Sequence, residues 1–215
     1  MTSAEMLARV RTLLDESSAA FFTDAEIYSA LSDGQREVTN FALGVYRQLR
    51  AQNVNSQIPE AIKELITTAT GTIAAAGLTA NLPADYLEWI RADLAHTAGS
   101  VDAYPCYYRE NTLGAFASAN TYLAENITNQ QHYFTINATQ VVFFTPGAVS
   151  VGSSYTFVYF KKPTEISGAV QPILSDFTHE AIVQYAYAYI LGKDQRTTEA
   201  SNEYGKFRDY LARLV

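Results

Sequence analysis

Residues 175–191, SDFTHEAIVQYAYAYIL, constrain this chain more than any other stretch. Set at about 100° per residue, Ile182, Val183, Tyr185, Ala186, Ala188, Tyr189 and Ile190 cover an arc of roughly 220°. The polar remainder is a narrow strip of Glu180, Gln184, Tyr187 and Asp194. A surface helix needs an apolar stripe of only ~100°. A helix this apolar has to be covered on two or three sides, so these residues read as the central helix of the fold. Ser175 or Asp176 is placed to cap its first turn. Glu180 lies near the positive end of its dipole. Gly192, Lys193 and Asp194 then loosen the pattern.

A central helix needs partners, and the two ends of the chain supply them. Residues 3–15 place Met6, Val10, Leu13 and Leu14 on one side of a short helix. Thr23, Asp24, Ala25 and Glu26 form a capping box, with Phe22 and Ile27 at the spacing of a hydrophobic staple. The helix that starts there carries Ile27, Leu31, Gly34, Val38, Phe41, Val45 and Leu49 along one seam, enough for about 35–40 Å at ~1.5 Å per residue. Gly34 and Gly44 each cost up to about 1 kcal/mol inside a helix, so each reads either as a point where another backbone comes close or as a plain tolerated glycine. Near the C-terminus, Ala200, Tyr204, Phe207, Leu211 and Leu214 mark a last helix, folding back on the central one as a helical hairpin.

Between these helices the texture is β. Thr67, Thr68, Thr70, Thr72 and Ile73 favour strand. Pro83 makes a turn of its surroundings by holding Leu82 extended. Residues 87–94 fit strand or helix and are taken as strand, and residues 104–108 as extended. Residues 113–125 read as a small helix. Two β-branched and aromatic runs, 133–137 and 139–144, flank a tight hairpin at Asn137 and Ala138. In residues 155–161 both alternating faces are largely apolar, so that strand is central or covered on both sides. The expected class is α+β: a helical bundle, residues 1–58 and 172–215, with an inserted β subdomain over about 65–165, the whole forming one domain.

Charge and reactive groups narrow the function classes. The net charge is −7, and residues 51–160 carry three basic against eight acidic side chains. No basic stripe exists to clamp phosphates, so direct nucleic-acid binding is not expected as the main task. Cys106 is the sole cysteine and reads as a small buried hydrophobe. The start of the chain does not resemble a signal peptide, and no apolar run approaches the ~18 residues of a membrane span. A soluble protein made in a cytoplasm is expected.

His96, His132 and His179 share no ligand spacing, and no Cys-x-x-Cys pair, phosphate-cradling glycine loop or Gly-x-Ser-x-Gly elbow occurs. Glu60 and Glu64 are a solvated i,i+4 pair. No enzyme activity, metal or cofactor is expected. The 15 tyrosines are the compositional oddity. Tyr104, Tyr107 and Tyr108, and again Tyr185, Tyr187 and Tyr189, serve either as packing or as contact anchors.

Three stretches carry a resemblance. They are FTDAEIYSALSDGQREV from Phe22, LPADYL from Leu82, and the run from Pro172 to Leu211 that includes HEAIVQYAYAYILGKDQRTTEASNEYGKFRDYL. In this order they resemble the head-to-tail connector, or adaptor, proteins of tailed bacteriophages. The resemblance implies a virion protein in the neck and a ring, commonly of twelve copies, beneath the portal. That ring joins the portal to tail or nozzle proteins and lets DNA pass without specific binding. It implies no active-site residues.

A ring uses two different faces of each copy. The candidate faces are the outer side of the long helix, with Arg36, Arg47 and Arg50, and the strip of Glu180, Gln184, Tyr187 and Asp194. The alternative reading is a carbohydrate- or receptor-binding module that uses the aromatic β insertion. Thr23→Ala is expected to cost about 0.5–2 kcal/mol of stability, read from the midpoint of urea unfolding.

Overall fold

A computed structural model describes residues 1–16, 21–52, 57–73, 79–95, 99, 103–108, 132–144 and 152–214. The small helix expected at 113–125 lies outside the described residues. The chain divides into two compact units. One combines Met1–Leu65 with Pro163–Val215, and the other is Ile66–Lys162.

The first unit is helical. Helix α1 (Ser3–Leu13) and helix α2 (Asp24–Ala51) each open on a capping box, at Thr2 with Glu5 and at Thr23 with Glu26. A 3-10 helix, Glu60–Leu65, follows. After the second unit come a 3-10 turn, Asp176–Thr178, helix α3 (His179–Lys193) and helix α4 (Thr197–Ala212).

Helix α3 packs against α1, α2 and α4, as its wide apolar arc requires. Ile182, Ala186 and Ile190 are fully buried, together with Met6, Val10, Ile27 and Leu31 from the N-terminal helices. Tyr185 is only half-buried and Tyr189 is 45% exposed, so the apolar arc is covered over less than its full width.

The expected cap of this helix is not made. Neither Ser175 nor Thr178 offers a side-chain capping bond. The Ser175 hydroxyl instead donates to Glu64 Oε2 at 2.7 Å, and Asp176 accepts from the Met1 amino group at 2.9 Å.

The second unit overturns the expected fold class. It is not a small β subdomain inserted into a helical bundle. It is a seven-stranded, nearly closed, barrel-like sheet with its own core. Its strands are β1 (Ile66–Thr72), β2 (Thr79–Asn81), β3 (Tyr86–Ala95), β4 (Ala103–Tyr108), β5 (His132–Asn137), β6 (Gln140–Phe144) and β7 (Ser154–Lys161). Their order across the sheet is β1-β7-β3-β4-β5-β6-β2. All neighbours are antiparallel except β4 and β5.

The physical reason for the correction is pairing. Strand β1 lies beside β7, with Ile66 opposite Phe160, and β2 lies beside β6. Local alternation identifies strands but carries no information about such distant partners. Strand β7 sits between β1 and β3, in keeping with its two apolar faces. The sheet's core is aromatic: Phe134, Phe143 and Phe157 are buried, and Trp89 stacks on Tyr108 at 4.3 Å between ring centroids.

The two helix glycines differ. A Cβ on Gly34 would lie 2.9 Å from the Ile182 carbonyl oxygen and 3.2 Å from Tyr185 Cβ, whereas one on Gly44 would meet nothing within 4 Å. The α2 backbone therefore approaches α3 closely at Gly34, while Gly44 is a plain tolerated glycine. In a helix, alanine is intrinsically better than glycine by up to about 1 kcal/mol. Gly44→Ala is expected to stabilise the protein by about 0.5–1 kcal/mol. Gly34→Ala is expected to destabilise it, because backbone must move. Thermal unfolding of the two variants checks the contrast.

Candidate functional site

The described residues hold no group of His, Cys, Asp and Glu that could bind a metal ion. The chemistry of the helical unit is that of surfaces. On α2, Arg36, Arg47 and Arg50 fall within roughly 60° of one another around the axis. Arg36 is exposed and paired with Asp33, with Glu165 at 3.9 Å. Arg47 is exposed, and the half-buried Arg50 lies 5.3 Å over the Tyr46 ring. This basic row is thus built from α2 alone.

The polar strip of α3 has a different setting. Glu180 and Asp194 are exposed. The Gln184 amide donates to Glu203 Oε2 of α4 at 2.6 Å. Tyr187 is half-buried, and desolvation first, then the Glu203 carboxylate, pushes its phenol up. The structure therefore brings Gln184 and Tyr187 together with α4, inside the helical hairpin, while the arginines lie on α2.

Two surface features of this unit were not singled out in the sequence. The first is a groove of about 360 Å³ between α3 and α4. Tyr185, Tyr189 and Tyr204 form its walls, and Ala188, Gly192 and Ala200 are among its other lining residues. Tyr185 and Tyr189 are stacked, with centroids 6.4 Å apart, and Tyr204 is 44% exposed. The i,i+4 spacing of the first two tyrosines was the available signal. Which side α4 would leave open could not be read from it.

The second feature is the corner between α1 and α2. Glu16 Oε1 accepts from the main-chain N–H of Phe21 at 2.6 Å and of Phe22 at 3.2 Å. The Arg11 guanidinium donates to the Phe22 carbonyl at 3.1 Å, to Glu16 Oε2 at 3.3 Å, and to Asp24 Oδ1. Charge-assisted bonds of this kind are roughly twice as strong as neutral ones, and they hold the main chain at Phe21 and Phe22. Phe21 is 87% exposed.

Several other groups settle into structural roles. His179 is buried, with Nε2 2.9 Å from the Leu174 carbonyl oxygen and Nδ1 2.8 Å from the Met1 amino group. Its pKa is lowered, chiefly by burial. Cys106 is buried, and desolvation pushes its thiol up to about 12, which makes it a poor nucleophile. Strand alternation puts Tyr107 on the face opposite Tyr104 and Tyr108. Tyr108 turns onto Trp89, while Tyr104 and Tyr107 remain 42% and 56% exposed. No helix among the described residues is long and apolar enough to cross a membrane.

Among the described residues, the helical unit of the protein thus presents a charged helix face, an aromatic groove and an exposed phenylalanine. Comparison with protein-family models places it further. The model of the SU10 adaptor protein family matches residues 1–215. The chain belongs to that family and is a structural adaptor protein of a bacteriophage virion. A search of curated proteins found no match.

The start of α2 also gives the unit a response to acid. Glu26 accepts from the Thr23 main-chain N–H at 3.0 Å and from Lys193 Nζ at 3.0 Å. The Thr23 backbone bond first, then Lys193, holds its carboxyl down from the ordinary 4.5 to about 2. A depressed carboxylate stabilises the fold above its unfolded pKa, and that contribution is lost as pH falls through the folded value. The urea midpoint is therefore expected to fall between pH 4.5 and about 2. Glu26→Gln should weaken the fall relative to the unaltered chain, and an identical pH profile for the two would refute the assignment.

Proposed function

We infer that this adaptor works as a ring of about twelve copies, seated beneath the portal. There it joins the portal to tail or nozzle proteins and lets DNA pass through its lumen. The observation that carries this reading is the family match over the full 215 residues.

Two features of the chain support it. A closed ring needs two different contact faces on each copy. The basic row on α2 and the exposed carboxylates Glu180 and Asp194 on α3 are a candidate pair of opposite sign. Rim pairs of this kind set specificity and register more than affinity. The acidic balance of residues 51–160 suits a wall beside DNA, because like charge repels phosphate and lets the duplex slide.

Electron microscopy or native mass spectrometry of the protein mixed with portal particles tests the ring. Rings on the portal are the expected result, and a protein that stays monomeric and ignores the portal would overturn the reading. In the same assay, Arg47→Glu combined with Arg50→Glu should reduce assembly while circular dichroism stays unchanged. Undiminished assembly by that variant would remove the α2 face from the contact and leave the ring reading in place.

A further inference from the structure

A single exposed apolar side chain is ordinary on a protein surface. Phe21 differs in how it is held. Its own main-chain N–H and that of Phe22 are bonded to Glu16, and the Phe22 carbonyl is bonded to Arg11. The Arg11 and Glu16 side chains are both largely buried. The main chain at Phe21 and Phe22 is anchored from within the unit, while the Phe21 ring is 87% exposed. An aromatic side chain displayed on a fixed backbone loses little conformational freedom when it docks.

The same unit carries a receptor of matching chemistry. The α3–α4 groove is walled by Tyr185, Tyr189 and Tyr204, and small residues leave room between them. Aromatic rings meet favourably edge-to-face or offset-stacked, and a buried phenylalanine removes ~150–250 Å² from water. Phe21 is too exposed to be filling the groove of its own copy.

Placement makes the pair suitable for repetition. The Glu26–Lys193 ion pair, at 3.0 Å, sets the start of α2 beside the end of α3, which is also the end where Tyr189 and Gly192 line the groove. Knob and groove thus lie at one level of the unit. They belong to different flanks of α3. His179 faces the Met1 amino group at the head of α1, while Tyr185 and Tyr189 line the groove. Six and ten residues at ~100° set these directions roughly 80–120° apart. Complementary patches on different sides of one subunit make a heterologous contact, which forms a ring where the rotation between copies closes. Rotation about a ring axis keeps height, so for helices set along that axis the two patches of neighbouring copies lie level with one another.

We propose that Phe21 of one copy seats in the α3–α4 groove of the next, among Tyr185, Tyr189 and Tyr204, as the central anchor of the subunit contact. The inference rests on the ring reading and adds to it the side chains that join the copies.

The test uses the full chain assembled on portal particles. Phe21→Ala should leave the thermal midpoint of the free protein unchanged and weaken assembly at least about tenfold, as expected for a central aromatic anchor. Phe21→Cys and Ala200→Cys copies, mixed and assembled under mild oxidation, should give disulfide-linked dimers. Either variant alone should give none, since Cys106 is buried. Full assembly by Phe21→Ala, or no cross-link between the mixed variants within intact rings, would overturn this contact while leaving the ring reading standing. A lowered thermal midpoint for Phe21→Ala would overturn it too, by making Phe21 a structural residue. Failure of the unaltered chain to form rings would overturn the ring reading itself and this contact with it.

Discussion

Helix α3 has almost no face that water can solvate well, and the helical unit is organised to remove it from water. Each fully buried Ile or Val is worth ~1.5–3 kcal/mol relative to exposure, and α3 buries Ile182, Val183 and Ile190 together. Three helices close around it. The tightest approach is at Gly34, where a Cβ would stand 2.9 Å from the Ile182 carbonyl oxygen. That contact sets how close α2 can come, and with it the position of the basic row on the opposite side of α2. The α3–α4 hairpin is held by Phe207, which is buried and meets the Tyr185 ring at 5.2 Å in an edge-to-face arrangement.

A core centred on one helix leaves the outer faces of α2 and α4 and the α1–α2 corner available as surface. These are the places where charge and aromatic groups accumulate. An adaptor needs surfaces that hold their shape before partners arrive, because ordering them on contact would cost affinity. The Arg11–Glu16–Asp24 clamp holds the main chain at Phe21 and Phe22 through ionic hydrogen bonds from largely buried Arg11 and Glu16 side chains. The Thr23–Glu26 box and Lys193 fix the neighbouring helix start against the end of α3. Both devices act at one end of the unit, and both arise from charged side chains reaching main-chain groups or other helices.

The sheet unit follows a different logic. Its interior is filled by aromatic rings in offset and edge-on contacts, such as Phe134 with Phe157 and Trp89 with Tyr108. Register shifts between β3 and β7 at Tyr86/Glu88 and at Trp89/Arg91 bend and twist the sheet. Such irregularities help a sheet curl toward closure, which reduces the exposed edges that open sheets must protect. Among the described strands only β4 and β5 pair in parallel, which a hairpin cannot connect.

How much of this was legible in the sequence depended on the range of the interaction involved. The capping box at Thr23, the length of α2, the apolar character of α3, the hairpin around Asn137 and the burial of Cys106 were all readable. Each follows from residues within a few positions of one another, or from one side chain's own chemistry. The resemblance carried by three separated stretches pointed to the adaptor family. What the sequence could not decide was which distant groups meet. β-branched residues marked β1 as a strand but not its pairing with β7, and β2 was not marked at all, so a seven-stranded barrel-like sheet was taken for an inserted β subdomain. The Ser175 hydroxyl and Asp176 were read as caps because capping is local, yet Glu64 and the Met1 amino group claimed them from far along the chain. Gly34 and Gly44 looked alike, and only the position of α3 separated them. The sequence by itself determined periodicity, the capping box at Thr23 and the acidic net charge. The tertiary structure decided sheet closure, the setting of each tyrosine and the display of Phe21, because those depend on contacts whose partners lie tens of residues away.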